Sequence, residues 1–349
     1  MELIKPAALK EGDTIGVFTP SYPANVFFRE KYLHAVNELT RIGHPVIEGF
    51  LTHRNVEQGY RTAPPRERAE EFMRLIIDSR VKCLMATIGG YNSSSLLPFL
   101  DYDQISKHPK IIIGYSDITS LHMAILTQSR LSTFYGPALV PSFGEWPHIL
   151  SDTLKYFRNA VSLSNKDVFP QDLGVPKEWS NHFRNALNDD WKTIDRKYKK
   201  NNGWIVLSSG KVTAPIILAN LNTLVSLAGT KFFPSLNGCI LLLEEQDATI
   251  SLEERSFRQL QLMGVFDDIV GLIIGKPESL DLKNAPFGYS ELIMEVVGPR
   301  NYPIVFNFDC GHTHPMITLA QGTIVSINAY GVGDVNVSIT IDRPMVTNK

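Results

Sequence analysis

Ile111-Ile112-Ile113-Gly114-Tyr115-Ser116-Asp117-Ile118-Thr119 is the stretch whose reading decides the fold. An apolar β-branched run ends at a glycine, a serine follows two residues later, and Ile118, Leu121 and Ile125 then recur at helical spacing. That is strand, sharp turn, helix. Such a turn lifts the Ser116 hydroxyl above a sheet edge and aims the Asp117 backbone N–H, at a helix start, toward any oxygen bound there. The plainer alternative is that Ser116 or Asp117 only caps the helix, because both residue types are good N-caps. The full G-x-S-x-G signature is absent, since position 118 is Ile.

Outward from this turn, strands and helices alternate. Thr14 to Pro20 reads as a buried first strand and Tyr32, Leu33, Val36 and Leu39 as the face of a helix that Gly43 ends. Pro64 and Pro65 open a second helix, and Cys83 to Ile88 is the next strand, ending in Gly89-Gly90. A short helix over Ser94 to Leu100 and an extended run over Leu131 to Leu139 complete this half. The alternation predicts an α/β fold: an N-terminal, mostly parallel Rossmann-like sheet covered on both faces, with functional loops at the carboxyl ends of its strands.

From Phe169 to Asn202 the periodicity fails amid Pro, Asn, Asp, Trp179, Trp191 and clustered charges, so this segment reads as linker and lid. The division expected is 1–168 for the N-terminal domain, 169–202 for the lid and 203–349 for a C-terminal β-rich α/β domain. In that second half Cys239 to Leu243 and Ile269 to Ile274 read as strands, Ser251 with Glu254 as a capping box, Tyr289 to Val297 as a helix, and Pro303 to Phe308 as a strand. After Gly311-His312-Thr313-His314-Pro315 the pattern alternates like β structure.

Composition limits the function classes. At 349 residues, 44% hydrophobic and 20% charged, the chain can build two ordinary globular cores. A formal charge of −2 leaves no electrostatic footprint for nucleic acid or an anionic membrane. Arg196-Lys197-Tyr198-Lys199-Lys200 reads as a solvated loop. Cys83, Cys239 and Cys310 are scattered, which suits buried thiols in a reducing compartment and offers no metal spacing. With no apolar run approaching membrane length and no leader at Met1 to Pro6, the cytoplasm is the expected location.

Three features stand at predicted strand ends: Ser116, Glu244 beside Glu245, and His312 beside His314. A serine hydroxyl needs an imidazole to take its proton, and the imidazole needs a carboxylate to fix its tautomer. The order serine, acid, histidine is a permitted one. The alternative is a solvated strand-end glutamate and a structural histidine.

The chain resembles the LD-carboxypeptidase family of serine peptidases, and within it the microcin C self-immunity peptidases. The resemblance is carried by Gly12 to Gly16, Thr87 to Pro98, Pro109 to Asp117, Phe134 to Leu139, Asn220 to Leu224, Leu243-Glu244 and Asp309 to Met316, in the family's order. It implies Ser116 as nucleophile, Glu244 as acid and His312 as base, with the backbone N–H groups of Gly90 and Asp117 as oxyanion donors. Tyr91, Asn92, Asn220, Glu278 and Trp191 are implied at the substrate. A homodimer, no metal and no cofactor are also implied, as is a small-molecule or short-peptide substrate. The activity implied is hydrolysis of an amide at the carboxyl side of a small amino-acid-like acyl group, such as an aminoacyl-nucleotide conjugate. The rivals are an LD-carboxypeptidase trimming muropeptides and a non-catalytic nucleotide or peptide binder on the same fold.

Departures concern the substrate rather than the chemistry. Where the immunity peptidases carry a base-stacking tryptophan seven residues after the match to Trp179, this chain has Ala186, and Trp191 replaces it only if the loop shifts. Glu245-Gln246-Asp247-Ala248 lacks the basic residues those relatives can carry after the catalytic acid. Leu218-Ala219 stands where Gly-Gly is usual.

Overall fold

The computed structural model describes residues 3–164 and 168–348. Strands β1 (Thr14–Phe18), β2 (Val46–Glu48), β3 (Val81–Ala86), β4 (Ile111–Gly114) and β5 (Phe134–Tyr135) form a parallel sheet in the order β5-β4-β3-β1-β2. The short strand Leu319–Ala320, from the other half of the chain, pairs antiparallel to β5 and completes six strands. A second sheet of eight strands has a parallel centre, Gly210–Asn220, Ile240–Glu244, Gly271–Gly275 and Ile304–Phe308. Antiparallel strands flank it, among them Ile324–Tyr330 and Asn336–Ile341.

The continuous apolar runs follow from burial on both sheet faces. Ile111 and Ile113 enter one core and Ile112 the other; Cys83 and Met85 likewise oppose Leu84 and Ala86. Each core draws residues from both halves, so the two sheets pack together, and Tyr135 of the first hydrogen-bonds Glu244 of the second. All three cysteines are buried and free. Among the described residues no helix is long and apolar enough to cross a membrane.

Local differences from the sequence expectations have local causes. The helix expected to start at Ser251 runs Ile250–Leu262 with Thr249 as N-cap and no side-chain cap bond, so the Ser251/Glu254 capping box is not formed. The extended run expected over Leu131 to Leu139 shrinks to Phe134–Tyr135, because Gly136 and Pro137 turn the chain into a wide helical turn at Leu139–Phe143. The segment 169–202 holds paired structure: Gln171–Asp172 pairs with Asn336–Ile341, Glu178–Trp179 pairs with Lys199–Lys200, and Asp190–Thr193 is a helical turn.

Candidate active site

Gly114 ends β4 where a side chain would not fit: a Cβ there would lie 3.0 Å from Ile118 Cγ1 and 3.2 Å from Ala86 Cβ. Two residues later Ser116 has φ 62°, the left-handed region, which costs a non-glycine residue about 1–3 kcal/mol. Its neighbours must hold it there. The Ser116 N–H donates to Tyr135 Oη at 3.1 Å, and the helix Thr119–Ser129 follows at once. This is the strand-turn-helix expected from the sequence.

The loop after β3 approaches the same turn. A Cβ on Gly89 would lie 3.2 Å from Ser116 Cβ and 3.3 Å from both Ser116 Oγ and Asp117 N. Gly90 has φ 147°, and a Cβ there would run into Ser21 Oγ, so only glycine fits. Ser21 Oγ accepts from the N–H groups of Tyr91 and Asn92, each at 3.2 Å. Asp117 Oδ2 accepts from Asn92 N at 3.1 Å and Ser93 N at 3.0 Å. Arg68, 1% exposed, donates to Asn92 Oδ1 at 2.5 Å and Ser95 Oγ at 2.9 Å. Within this well-bonded loop the N–H groups of Gly90 and Asp117 have no hydrogen-bond partner among the described residues. Unmatched backbone donors beside a serine are what an oxyanion needs.

The second sheet brings the acid and the imidazole. Glu244 ends the strand Ile240–Glu244, and its Oε2 lies 2.7 Å from His312 Nδ1. Its Oε1 accepts from Tyr135 Oη at 2.5 Å and Asn220 Nδ2 at 3.3 Å. Gly311, at φ 121°, passes so close that a Cβ would strike Glu244 Oε2. Burial alone would lower the His312 pKa, but Glu244, helped by Glu278 and Glu245, holds it above the ordinary value. The Tyr115 ring meets the imidazole edge-on, 4.9 Å between centroids, which keeps His312 beside the serine turn. No hydrogen bond joins Ser116 Oγ to His312 among the described residues; such bonds commonly tighten only when substrate binds.

The rejected neighbours have other duties. Glu245 is tied to Asn220 Nδ2, Asn222 and its own Gln246 N–H. His314 is half-buried and held neutral, its pKa well below the ordinary value through desolvation and then Arg196, Lys31 and Arg184. Its backbone exchanges hydrogen bonds with Ser180 at 2.7 and 2.9 Å, tying the segment 169–202 to the histidine loop.

The other residues implied at the substrate separate into two groups. Asn220 reaches both glutamates, and Glu278, its carboxyl raised by burial, stands near enough to His312 to feel its charge. Tyr91 is 96% exposed, and Asn92 is held by Arg68 and Asp117. Trp191 is 4% exposed, its ring packed on Trp146 and His34, so in this conformation it offers no face to a ligand. Sequence reasoning did not find Tyr135, Arg68 or the Lys276–Asp309 pair at 2.6 Å that fixes the histidine loop. Tyr135 lies inside the Phe134 to Leu139 motif, which was the only available signal.

The LD-carboxypeptidase N-terminal domain matches residues 15–136 and the LD-carboxypeptidase C-terminal domain residues 213–327. The microcin C7 self-immunity protein of Escherichia coli is 40% identical over 335 residues, 96% of this chain and 95% of that one. A solved structure of that self-immunity protein in complex with aspartyl sulfamoyl adenosine superposes with a TM-score of 0.91 at 37% identity, covering 99% of this chain and 100% of that one. Its complex with glutamyl sulfamoyl guanosine gives the same TM-score and identity over 98% and 99% of the two chains.

Proposed function

Since the chain belongs to the LD-carboxypeptidase family and is a serine peptidase hydrolase, we propose that Ser116, His312 and Glu244 form its triad. In this reading they hydrolyse an amide at the carboxyl side of a small amino-acid-like acyl group. The Ser116 hydroxyl attacks the carbonyl carbon while His312 Nε2 takes its proton, and Glu244 stabilises the imidazolium through Nδ1. The Gly90 and Asp117 N–H groups receive the oxyanion; one such donor is worth about 2.7–4 kcal/mol in the transition state. His312 then protonates the leaving nitrogen, and water, activated by the same ring, releases the acyl group from Ser116.

The observation that carries this reading is the Glu244–His312 contact at 2.7 Å beside a strained serine flanked by two unmatched N–H donors. The aspartyl and glutamyl sulfamoyl nucleosides held by the self-immunity protein support an aminoacyl-nucleotide substrate for this chain too. A homodimer acting in the cytoplasm belongs to the same reading. The second reading, trimming of muropeptide stems, is favoured by one feature: Ala186 brings no ring, and the Trp191 ring is packed away.

A serine-directed covalent probe should label the wild type and leave Ser116→Ala unlabelled; equal labelling would discard the triad. Mass spectrometry of aminoacyl-sulfamoyl adenylates and muropeptides, each incubated with the enzyme, then decides the substrate. Cleavage of tetrapeptide stems alone would select the second reading.

A further inference from the structure

The first turn of the helix Arg29–Arg41 carries a lysine in an unfavourable place. Lys31 is 8% exposed, and its ammonium has no hydrogen bond or ion pair among the described residues. A helix N-terminus disfavours a cation, and burial disfavours an unpaired one. Burial, followed by repulsion from Arg196 and Arg184, brings its pKa down to about 7 against a smaller attraction from Glu278. Natural sequences break local rules of this kind mainly where function requires it.

The surroundings define what is missing. A Cβ on Gly144 would lie 2.8 Å from Lys31 Cγ and 3.1 Å from its Cε, so the stem runs along Gly144 beside Glu145. The Glu145 carboxylate, 1% exposed, takes Arg196 at 2.8 and 3.1 Å and also Arg184. Two guanidiniums thus share one carboxylate. Arg184 Nε is buried with no acceptor, and His314, facing the same cations, is neutral. Among the described residues Glu145 thus serves both arginines while Lys31 contacts no carboxylate, and donors on Lys31 and Arg184 are left over. Glu278 and His314, which both sense Lys31 or its arginines, also sense His312, so the cluster lies within electrostatic reach of His312.

We infer that Lys31, with Arg184 and Arg196 beside it, forms a subsite next to His312 that binds a carboxylate of the substrate. This rests on the proposed amide hydrolysis and narrows its substrate class. The carboxylate has two possible sources: an acidic side chain on the acyl group, or the free C-terminus of a leaving residue.

Binding to Ser116→Ala protein tests this without depending on turnover. One ligand pair is aspartyl- and asparaginyl-sulfamoyl adenosine; the other is a dipeptide and its C-terminal amide. The carboxylate member of one pair should bind about 10-fold or more tighter, the scale of a hydrogen bond to a charged group, and adding Lys31→Met should abolish that preference. Preference in the first pair assigns the subsite to the acyl side chain, and in the second to the leaving residue. Equal binding or none in both pairs, or a preference that survives Lys31→Met, overturns the subsite. Lys31→Met should also raise Tm by removing an uncompensated buried charge, and a large fall would overturn the inference by showing that Lys31 holds the fold through partners. Turnover of the aspartyl compound by the unaltered enzyme is scored separately: charge preference without hydrolysis keeps the subsite and discards the activity.

Discussion

The Tyr135 hydroxyl donates to Glu244 Oε1 at 2.5 Å while its oxygen accepts the Ser116 N–H at 3.1 Å. One phenol thus links the strained turn of the first sheet to the strand-end acid of the second. Burial and the adjacent Glu244 raise the Tyr135 pKa well above the ordinary value, so the hydroxyl keeps its proton and remains a donor.

Tyr135→Phe keeps the ring and removes the link. A hydrogen bond to a charged group is worth about 1.5–3 kcal/mol, which corresponds to a loss of about 10- to 150-fold. The loss should fall on kcat, because Tyr135 lies behind Ser116 and Glu244 rather than against the substrate. Steady-state kinetics in which KM rises as much as kcat falls would count against this positioning role.

The pH profile follows from His312. The base must be neutral to accept the serine proton, and Glu244 holds its pKa above 6.5 despite burial. Activity should therefore be lost as pH falls through that raised value, with the acid limb of kcat/KM lying above pH 6.5. Glu244→Gln removes the strongest raising influence, so the limb should move to lower pH while the plateau falls by orders of magnitude; a limb that stays in place sinks the assignment. His314, already neutral, should cost far less when changed to Ala than His312 does. Ser116→Ala and His312→Ala should be strongly non-additive, because residues acting as a unit are lost together.

Much of this site was legible because chemistry sits at strand ends. The run Ile111 to Ile113 and the glycines at 89, 90, 114 and 311 expose themselves by composition, and they mark the turns that carry Ser116 and His312. Tyr135 was not legible in that way. An aromatic residue in a short strand reads as core, and its partner Glu244 is 109 residues away in sequence. The pairing inside 169–202 was not legible for the same reason: Gln171–Asp172 finds its pairing strand at Asn336–Ile341, a non-local contact that leaves no periodicity in the segment itself.

Glu145 anchors that segment. It is 1% exposed and neutralises both Arg184 and Arg196 of the segment, whose side chains are 3% and 8% exposed. Glu145→Gln leaves buried guanidiniums without a counter-charge, a defect that costs about 3–5 kcal/mol. Tm should fall, and proteolysis between residues 181 and 198 should quicken. An unchanged Tm with an intact lid would show that the clamp contributes little.

Under the proposed function, substrate preference turns on Ala186 and Trp191. Base–aromatic stacking is worth about 1–3 kcal/mol, or about 5- to 150-fold in affinity. Ala186 sits on the lid as a half-buried residue, whereas the Trp191 ring lies 6.0 Å from Trp146 and 5.7 Å from His34, between centroids, and is nearly sealed from solvent. Trp191→Ala should therefore open a cavity under the lid, costing about 3–5 kcal/mol of stability and weakening both substrate types together. Ala186→Trp should instead lower KM for aminoacyl-nucleotide amides and leave small peptides nearly unaffected. Steady-state kinetics of both variants on both substrate types separate the cases. A selective loss of the nucleotide substrate in Trp191→Ala, with no gain from Ala186→Trp, would mean that the lid shifts on binding and that Trp191 leaves its packed position to receive the base.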